Sequence, residues 1–170
     1  EIQTQLGELN GISYQNSISD LLAAINEVAK APDDNTARAA LVESAISFLD
    51  RSQSIYKGLV SYQDSLNTEI ASITNRINEI GERIQYLNSQ ISVIESGVET
   101  AMTLRDERDL LLDELSGYVK IDYSEDANHV VTVMMEGNFF CDGLSVSHLG
   151  LNTIEGTSFY VPVWSEMKDT

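Results

Sequence analysis

Apolar side chains recur every three and four residues through the first two thirds of the chain, a spacing typical of amphipathic helices. Ile2, Leu6 and Leu9 follow this spacing and predict the end of one helix, and the polar segment 13–19 is expected to be a loop. Three further helices are predicted at about 18–31, 35–96 and 103–116.

The helix predicted at 35–96 is long because it contains no proline and only two glycines, Gly58 and Gly81. At 1.5 Å per residue it would extend for about 90 Å. Ser17 with Asp20, and Thr103 with Asp106, resemble capping boxes at the starts of the helices on either side.

One apolar stripe of the long helix alternates by four and three residues and forms a seam for packing or assembly. Its members are Leu66, Ile70, Ile73, Ile77, Ile80, Ile84, Leu87, Ile91 and Ile94. A stripe of about 36 Å from Ile70 to Ile94 must be buried against another surface. Two interpretations remain open: packing inside one helical bundle, or contact with a segment or subunit outside this chain.

From residue 118 the apolar period changes to two, which is typical of strands. Five strands are predicted: Tyr118–Ser124, His129–Glu136, Phe139–Cys141, Leu144–Leu149 and Ser158–Trp164. Gly137 and Asn138 suit a two-residue hairpin turn. The sequence therefore predicts an α+β fold, with an elongated helical bundle or coiled coil at 1–117 and a small antiparallel β domain at 118–170.

The chain of 170 residues is acidic, with 27 acidic and 10 basic side chains and a net charge of −17. This charge argues against nucleic acid as a partner, since phosphates need a basic face, and against anionic membrane surfaces. No apolar run is long enough to span a bilayer. The chain begins without methionine, so we expect Glu1 to lie inside a longer protein.

The residue types that perform catalysis or bind metals are not grouped in the sequence. His129 and His148 lack neighbouring ligands at metal-site spacing. Asp122, Glu125 and Asp126 form an acidic turn without the ligand pattern of a calcium loop. We expect no enzyme activity, no metal and no cofactor. The single cysteine allows no internal disulfide.

Arg108 is the unusual charge of the third helix, because it falls on the same face as Leu104, Leu111 and Leu115. A guanidinium on an apolar face must reach solvent or pair with an acid. We predict an ion pair that fixes this helix to its neighbours, so that replacing Arg108 with alanine lowers the melting temperature.

The third helix carries the pattern L-x-D-x-R-D-x-L-x-x-E-L, formed by Leu104, Asp106, Arg108, Asp109, Leu111, Glu114 and Leu115. Upstream, the acidic turn 31–34 contains a proline and precedes an A-R-x-A-L segment at 37–41. In these features, over about residues 1–145, the chain resembles the flagellar hook-associated protein 1 family.

The resemblance implies a structural component of the bacterial flagellum that joins hook to filament by self-assembly into an axial tube. The implied partners are copies of the full-length protein, the hook protein and the second junction protein. The implied location is extracellular, after export without a cleaved signal. The alternative is an extracellular binding module, with a coiled-coil stalk and a β head, as in an adhesin or sensor.

Overall fold

The computed structural model of the protein describes residues 11–97 and 99–165. Within these ranges the helices are α1 (Gly11–Lys30), α2 (Asn35–Glu95) and α3 (Met102–Tyr118), and the strands are β1 (Ile121–Glu125), β2 (Val131–Met135), β3 (Asn138–Cys141), β4 (Leu149–Thr153) and β5 (Tyr160–Trp164). The predicted α+β fold, with one very long helix followed by small antiparallel sheets, is confirmed. The helix end predicted at Ile2, Leu6 and Leu9 lies outside the described residues.

The strands form two antiparallel sheets, one of order β1-β2-β3 and one of order β4-β5. The predicted strand Leu144–Leu149 is wrong. A turn occupies its first half, where the Asp142 carboxylate accepts two backbone N–H groups at 2.6 and 2.8 Å. Only Val146 pairs there, as an isolated bridge to Cys141, and β4 begins at Leu149.

Two helix starts differ from the sequence expectation. α1 already includes Gly11, so the predicted loop at 13–19 and the cap at Ser17 are wrong. The Ser17 hydroxyl instead donates to the Tyr14 carbonyl at 2.7 Å, which lets a polar residue fit inside the helix. At α3 the N-cap is Ala101 with no side-chain cap bond, so the capping box at Thr103 is also wrong.

The hairpin between β2 and β3 turns one residue earlier than predicted. Its two central residues are Glu136 and Gly137, with φ angles of 51° and 80°, whereas Asn138 already belongs to β3. Positive φ at both positions is the geometry of the tight turn whose twist matches the flanking strands. Glycine meets this requirement without steric cost.

The fold contains two compact units: unit 1 is Glu1–Asp64 and unit 2 is Ser65–Thr170. In unit 1 the Tyr14 ring of α1 stacks on the Phe48 ring of α2, with centroids 5.8 Å apart. Among unit 1 side chains that the structure describes, only Ser17 is buried. The sequence-based domain division after residue 117 remains a prediction.

Unit 2 has a continuous apolar core between the second part of α2, α3 and the three-stranded sheet. Its fully or nearly fully buried members are Ile77, Ile80, Ile84, Leu112, Leu115, Val131, Val133, Met135, Phe140 and Cys141. A smaller cluster of Leu87, Ile91 and Ala101 lies where α2 ends and α3 begins. The seam of α2 is therefore covered, from Ile77 to Ile91, by this chain's own helix and strands.

A bulge in β3 brings the sheet into close contact with α2. The register shifts between Val133 and Met134, so that Phe140 and Cys141 are both buried although they are consecutive. At the point of contact α2 has Gly81, and a Cβ there would lie 2.6 Å from the Phe140 ring. The glycine thus leaves the space that the aromatic ring occupies.

Candidate structural site where the long helix holds the sheets

The side chains of three asparagines of α2 form hydrogen bonds with backbone groups of the two sheets. Asn67, Asn78 and Asn88 are eleven and ten residues apart. At 3.6 residues per turn these spacings are about 3.1 and 2.8 turns, so the three side chains lie within about 80° of one another around α2. A carboxamide offers one acceptor and donor hydrogens, and can therefore pair with a peptide group as a neighbouring strand would.

Asn88 is fully buried and pairs with the start of β2. Its Nδ2 donates to the Val131 carbonyl at 2.8 Å, and its Oδ1 accepts the Val131 N–H at 3.1 Å. The same Oδ1 accepts a bond from Arg108 Nη1 at 3.0 Å. One side chain therefore joins α2, α3 and the three-stranded sheet.

The other two asparagines hold the β4-β5 hairpin. Asn78 donates to the Leu149 carbonyl at 2.9 Å and accepts the Leu149 N–H at 2.8 Å. Asn67 donates to the Ser158 carbonyl at 2.7 Å and accepts the Tyr160 N–H at 2.9 Å. Both ends of the hairpin are thus attached to α2 through backbone groups, whatever side chains the hairpin carries.

Two further contacts tie α2 to α3 at the surface. The Arg76 guanidinium donates to both carboxylate oxygens of Glu114, at 2.7 and 2.8 Å, and Arg83 donates to Glu107 at 2.7 Å. The four side chains are 35–44% exposed. Exposed pairs of this kind are screened by solvent, so they fix orientation more than they stabilise the fold.

Five charged or ionisable side chains lie close together near the end of α2 and the start of α3. We call them the charge cluster: Glu95, Arg105, Arg108, Glu125 and His129. Arg105 forms two bonds to the buried Glu95 carboxylate and one to Glu125, at 3.1 Å. His129, which has a positive φ of 65°, has its ring nitrogens 3.4 Å from Glu125 and 3.7 Å from Glu95.

Arg108 is buried with only 2% of its surface exposed, in agreement with its position on the apolar face of α3. Its guanidinium donates to Asn88 Oδ1, to the His129 carbonyl at 2.8 Å and to Glu125 at 3.4 Å. The predicted ion pair exists, but two of its three bonds go to neutral oxygens. Arg108 fixes α3 chiefly as a hydrogen-bond donor.

The Glu95 carboxylate of the charge cluster has a lowered pKa. Hydrogen bonds from Arg105, and one from the Ala101 N–H at 2.9 Å, lower the pKa of Glu95 from 4.5 to about 2. The Ala101 bond also satisfies an amide at the start of α3, where no side-chain cap is present.

We expect Glu95 to make the free energy of unfolding depend on pH. Because its pKa is lower in the folded state, its contribution is present above pH 4.5 and is lost as the pH falls towards 2. The free-energy difference between wild type and Glu95→Gln, from denaturant unfolding, should therefore shrink across this interval. Glu99→Gln removes a nearby exposed charge and is the matched control. A difference that stays constant from pH 7 to 2 would contradict the assignment.

The structure places the residues that the sequence singled out in different environments. Of the seam, Ile77, Ile80, Ile84, Leu87 and Ile91 are buried, and Leu66, Ile70, Ile73 and Ile94 are half-buried. Of the motif, Arg108 and Leu115 are buried, Leu104, Leu111 and Glu114 are half-buried, and Asp106 and Asp109 are exposed. The motif's inward side therefore packs the core, and its two aspartates face solvent.

Within the described ranges no three acidic, histidine or cysteine residues are grouped as metal ligands would be, and no helix there is long and apolar enough to cross a membrane. His148 lies 3.0 Å from Glu82, away from His129 and its partners Glu95 and Glu125. Burial raises the pKa of the Cys141 thiol to about 12. These groups take part in packing or in pairs within the fold.

A long helix whose asparagines hold two small antiparallel sheets, and whose arginines pair with the returning helix α3, defines a helical domain. Residues 1–163 match the family model described as the flagellar hook-associated protein FlgK helical domain. The chain belongs to this family, whose members have a structural role in the bacterial flagellum. The family predicted from the α3 motif is thereby confirmed.

Two relatives illustrate the match. Flagellar hook-associated protein 1 of Bacillus subtilis (strain 168) is 23% identical over 166 residues, which are 92% of this chain and 32% of that protein. The structure of the flagellar hook junction protein FlgK from Burkholderia pseudomallei shares the fold, with a TM-score of 0.79 and 20% identity over 89% of this chain and 27% of that one. The chain thus spans about a third of its curated relative.

Proposed function

We propose that this chain is part of a protein that joins the flagellar hook to the filament by assembling with its own copies into a short zone of the axial tube. Its other partners in the proposal are the hook protein and the second junction protein. Export from the cell without a cleaved signal belongs to the proposal. Catalysis, cofactors, nucleic acid and membranes have no part in it.

Family membership is the observation that carries the proposal, because the match extends over nearly the whole chain. The two relatives are named for association with the hook and for the hook junction. The charge cluster and the asparagine bonds support a structural role, since they fix one arrangement of helix and sheets rather than form a reaction site.

An exposed apolar row in unit 1 supports the proposed assembly. Along the unit 1 part of α2 this second apolar row remains exposed, consisting of Val42, Ile46, Leu49, Tyr56 and Val60, at 37–68% exposure. The spacing of four and three, with Gln53 completing the row, is the spacing of a helix-packing seam. An apolar row on a helix requires a cover, and we propose that assembly supplies it.

The test is complementation of a strain that lacks the gene, using the full-length gene with Ile46→Ser and Leu49→Ser together. We expect filaments to be lost and swimming to fall to the level of the deletion strain, while export continues. Val93→Ser is the matched control, because Val93 is also an exposed α2 residue, at 71% exposure, but lies in unit 2. It should restore swimming.

Two results would contradict the role of this row in assembly. One is normal filaments in the double variant. The other is a lowered melting temperature of the purified full-length double variant, because this would assign the row to packing inside one subunit.

A further inference from the structure

The outward side of α3 carries two exposed apolar side chains among carboxylates. Met102 and Leu110 are 63% and 69% exposed, although the opposite side of α3 packs on the core of unit 2. Asp106, Asp109 and Asp113 are exposed on the same side. At 3.6 residues per turn these five side chains lie within about 100° of one another around the helix. We call the five residues the α3 face.

The arginines of unit 2 do not neutralise the α3 face. Each of the four pairs with a glutamate: Arg76 with Glu114, Arg83 with Glu107, Arg105 with Glu95, and Arg108 with Glu125. Among the described residues, no salt bridge includes any of the three aspartates of the α3 face. The surface is therefore both apolar and negatively charged.

One stretch of α2 in unit 1 has the complementary character. Residues 51–63 contain Arg51 and Lys57 and no acidic residue, although the chain has 27 acidic and 10 basic side chains. We call residues 51–63 the basic stretch. The exposed apolar row of unit 1 passes through it with Tyr56 and Val60, and the exposed Lys57 lies beside them. The basic stretch is apolar and positive where the α3 face is apolar and negative.

The two surfaces also match in length. Residues 106–113 of the α3 face and residues 53–60 of the basic stretch each extend over seven residue steps, about 10 Å. Leu110 lies near the middle of the first and Tyr56 near the middle of the second. A tube of identical copies needs two different surfaces on each copy, because a surface that pairs with itself closes after two copies.

We propose that the α3 face of one copy docks on the basic stretch of a second copy, with Leu110 packed beside Tyr56 and the aspartates close to Lys57. The inference rests on the proposed function, since it names the surfaces through which the copies join. Apolar contact supplies the attraction, and the opposite charges select the partner surface. Because each copy keeps one free surface of each kind, further copies are able to add in succession.

Disulfide cross-linking on intact flagella tests the contact directly. The full-length protein carries Tyr56→Cys and Leu110→Cys together, and the thiol of Cys141 does not interfere because it is buried. We expect mild oxidation to give covalent multimers larger than dimers. Either substitution alone should give none, because the two positions belong to different surfaces. Tyr56→Cys with Val93→Cys is the matched control, since Val93 is exposed but lies outside the α3 face, and it should give no multimers.

Charge reversal tests the ionic part of the contact. Lys57→Glu, and Asp106→Lys with Asp113→Lys, should each lower the fraction of swimming cells by about tenfold, because like charges then meet. All three substitutions together restore opposite charges and should recover most of the swimming. Asp122→Lys is the matched control, because Asp122 is an exposed acid of β1, and it should leave swimming unchanged.

The outcomes separate this inference from the proposed function. Absence of multimers from the double-cysteine protein, or absence of rescue in the combined charge variant, overturns the docking. Multimers or dimers formed by Leu110→Cys alone overturn it too, because the α3 face would then pair with itself. In each case hooks without filaments on the deletion strain would leave the proposed function standing, whereas normal filaments on that strain would remove both.

Discussion

The Arg108→Ala variant is expected to melt about 6–12 °C below the wild type, from a loss of about 3 kcal/mol in the free energy of unfolding. The substitution removes the donor to Asn88 and to the His129 carbonyl, and one cation beside Glu125. Because Arg108 is 2% exposed, water cannot replace these bonds without opening the core. Thermal unfolding followed by circular dichroism measures the change.

Arg83→Ala is the matched control for this prediction. Arg83 also donates to a glutamate of α3, Glu107, but its side chain is 44% exposed. Its removal should lower the melting temperature much less than removal of Arg108, because solvent screens an exposed pair. Equal decreases in melting temperature for the two variants would mean that the burial of Arg108 does not increase its contribution to stability. An unchanged melting temperature for Arg108→Ala would refute its role in holding α3.

Gly81→Ala is expected to destabilise the fold by about 2 kcal/mol, although alanine is the better helix former. The added methyl group would lie 2.6 Å from Phe140 and 3.0 Å from Val146. Phe140 is fully buried and cannot turn away without disturbing the sheet. The expected loss is the cost of overpacking, about 3 kcal/mol, less about 1 kcal/mol of helix propensity. Denaturant unfolding measures it.

Gly58→Ala isolates the effect of helix propensity in the same helix. Apart from the adjoining residues and backbone of α2 itself, no atom lies within 4 Å of the Cβ that this substitution would add. We therefore expect Gly58→Ala to stabilise α2 by about 0.5–1 kcal/mol. If Gly81→Ala were stabilising as well, the close contact between β3 and α2 would not constrain the fold.

The long helix and its seam were predictable because their signal is local and repeated. No proline interrupts 35–95, and the apolar period continues through Ile77, Ile84 and Ile91, which the structure buries. Arg108 was also predictable, since a charge on an apolar face must find partners. The identity of those partners was not, because Asn88 and His129 are distant from Arg108 in sequence.

The sequence did not show which segments pack against the apolar seam of α2. The returning helix α3 is too short, and the remaining cover comes from β2 and β3, whose register depends on a bulge next to Phe140. The asparagine bonds were missed for a related reason: an asparagine inside a helix usually faces solvent. The signal that could have found them is the spacing of Asn67, Asn78 and Asn88, which keeps the three side chains on the same side of α2.

The most direct measurement of the central claim is a clean deletion of the gene that encodes this chain. The cells are viewed by electron microscopy, and the culture medium is assayed for filament protein. The account predicts hooks without filaments, with filament subunits shed into the medium and both defects reversed by the intact gene. Normal filaments on the deletion strain would contradict a role between hook and filament.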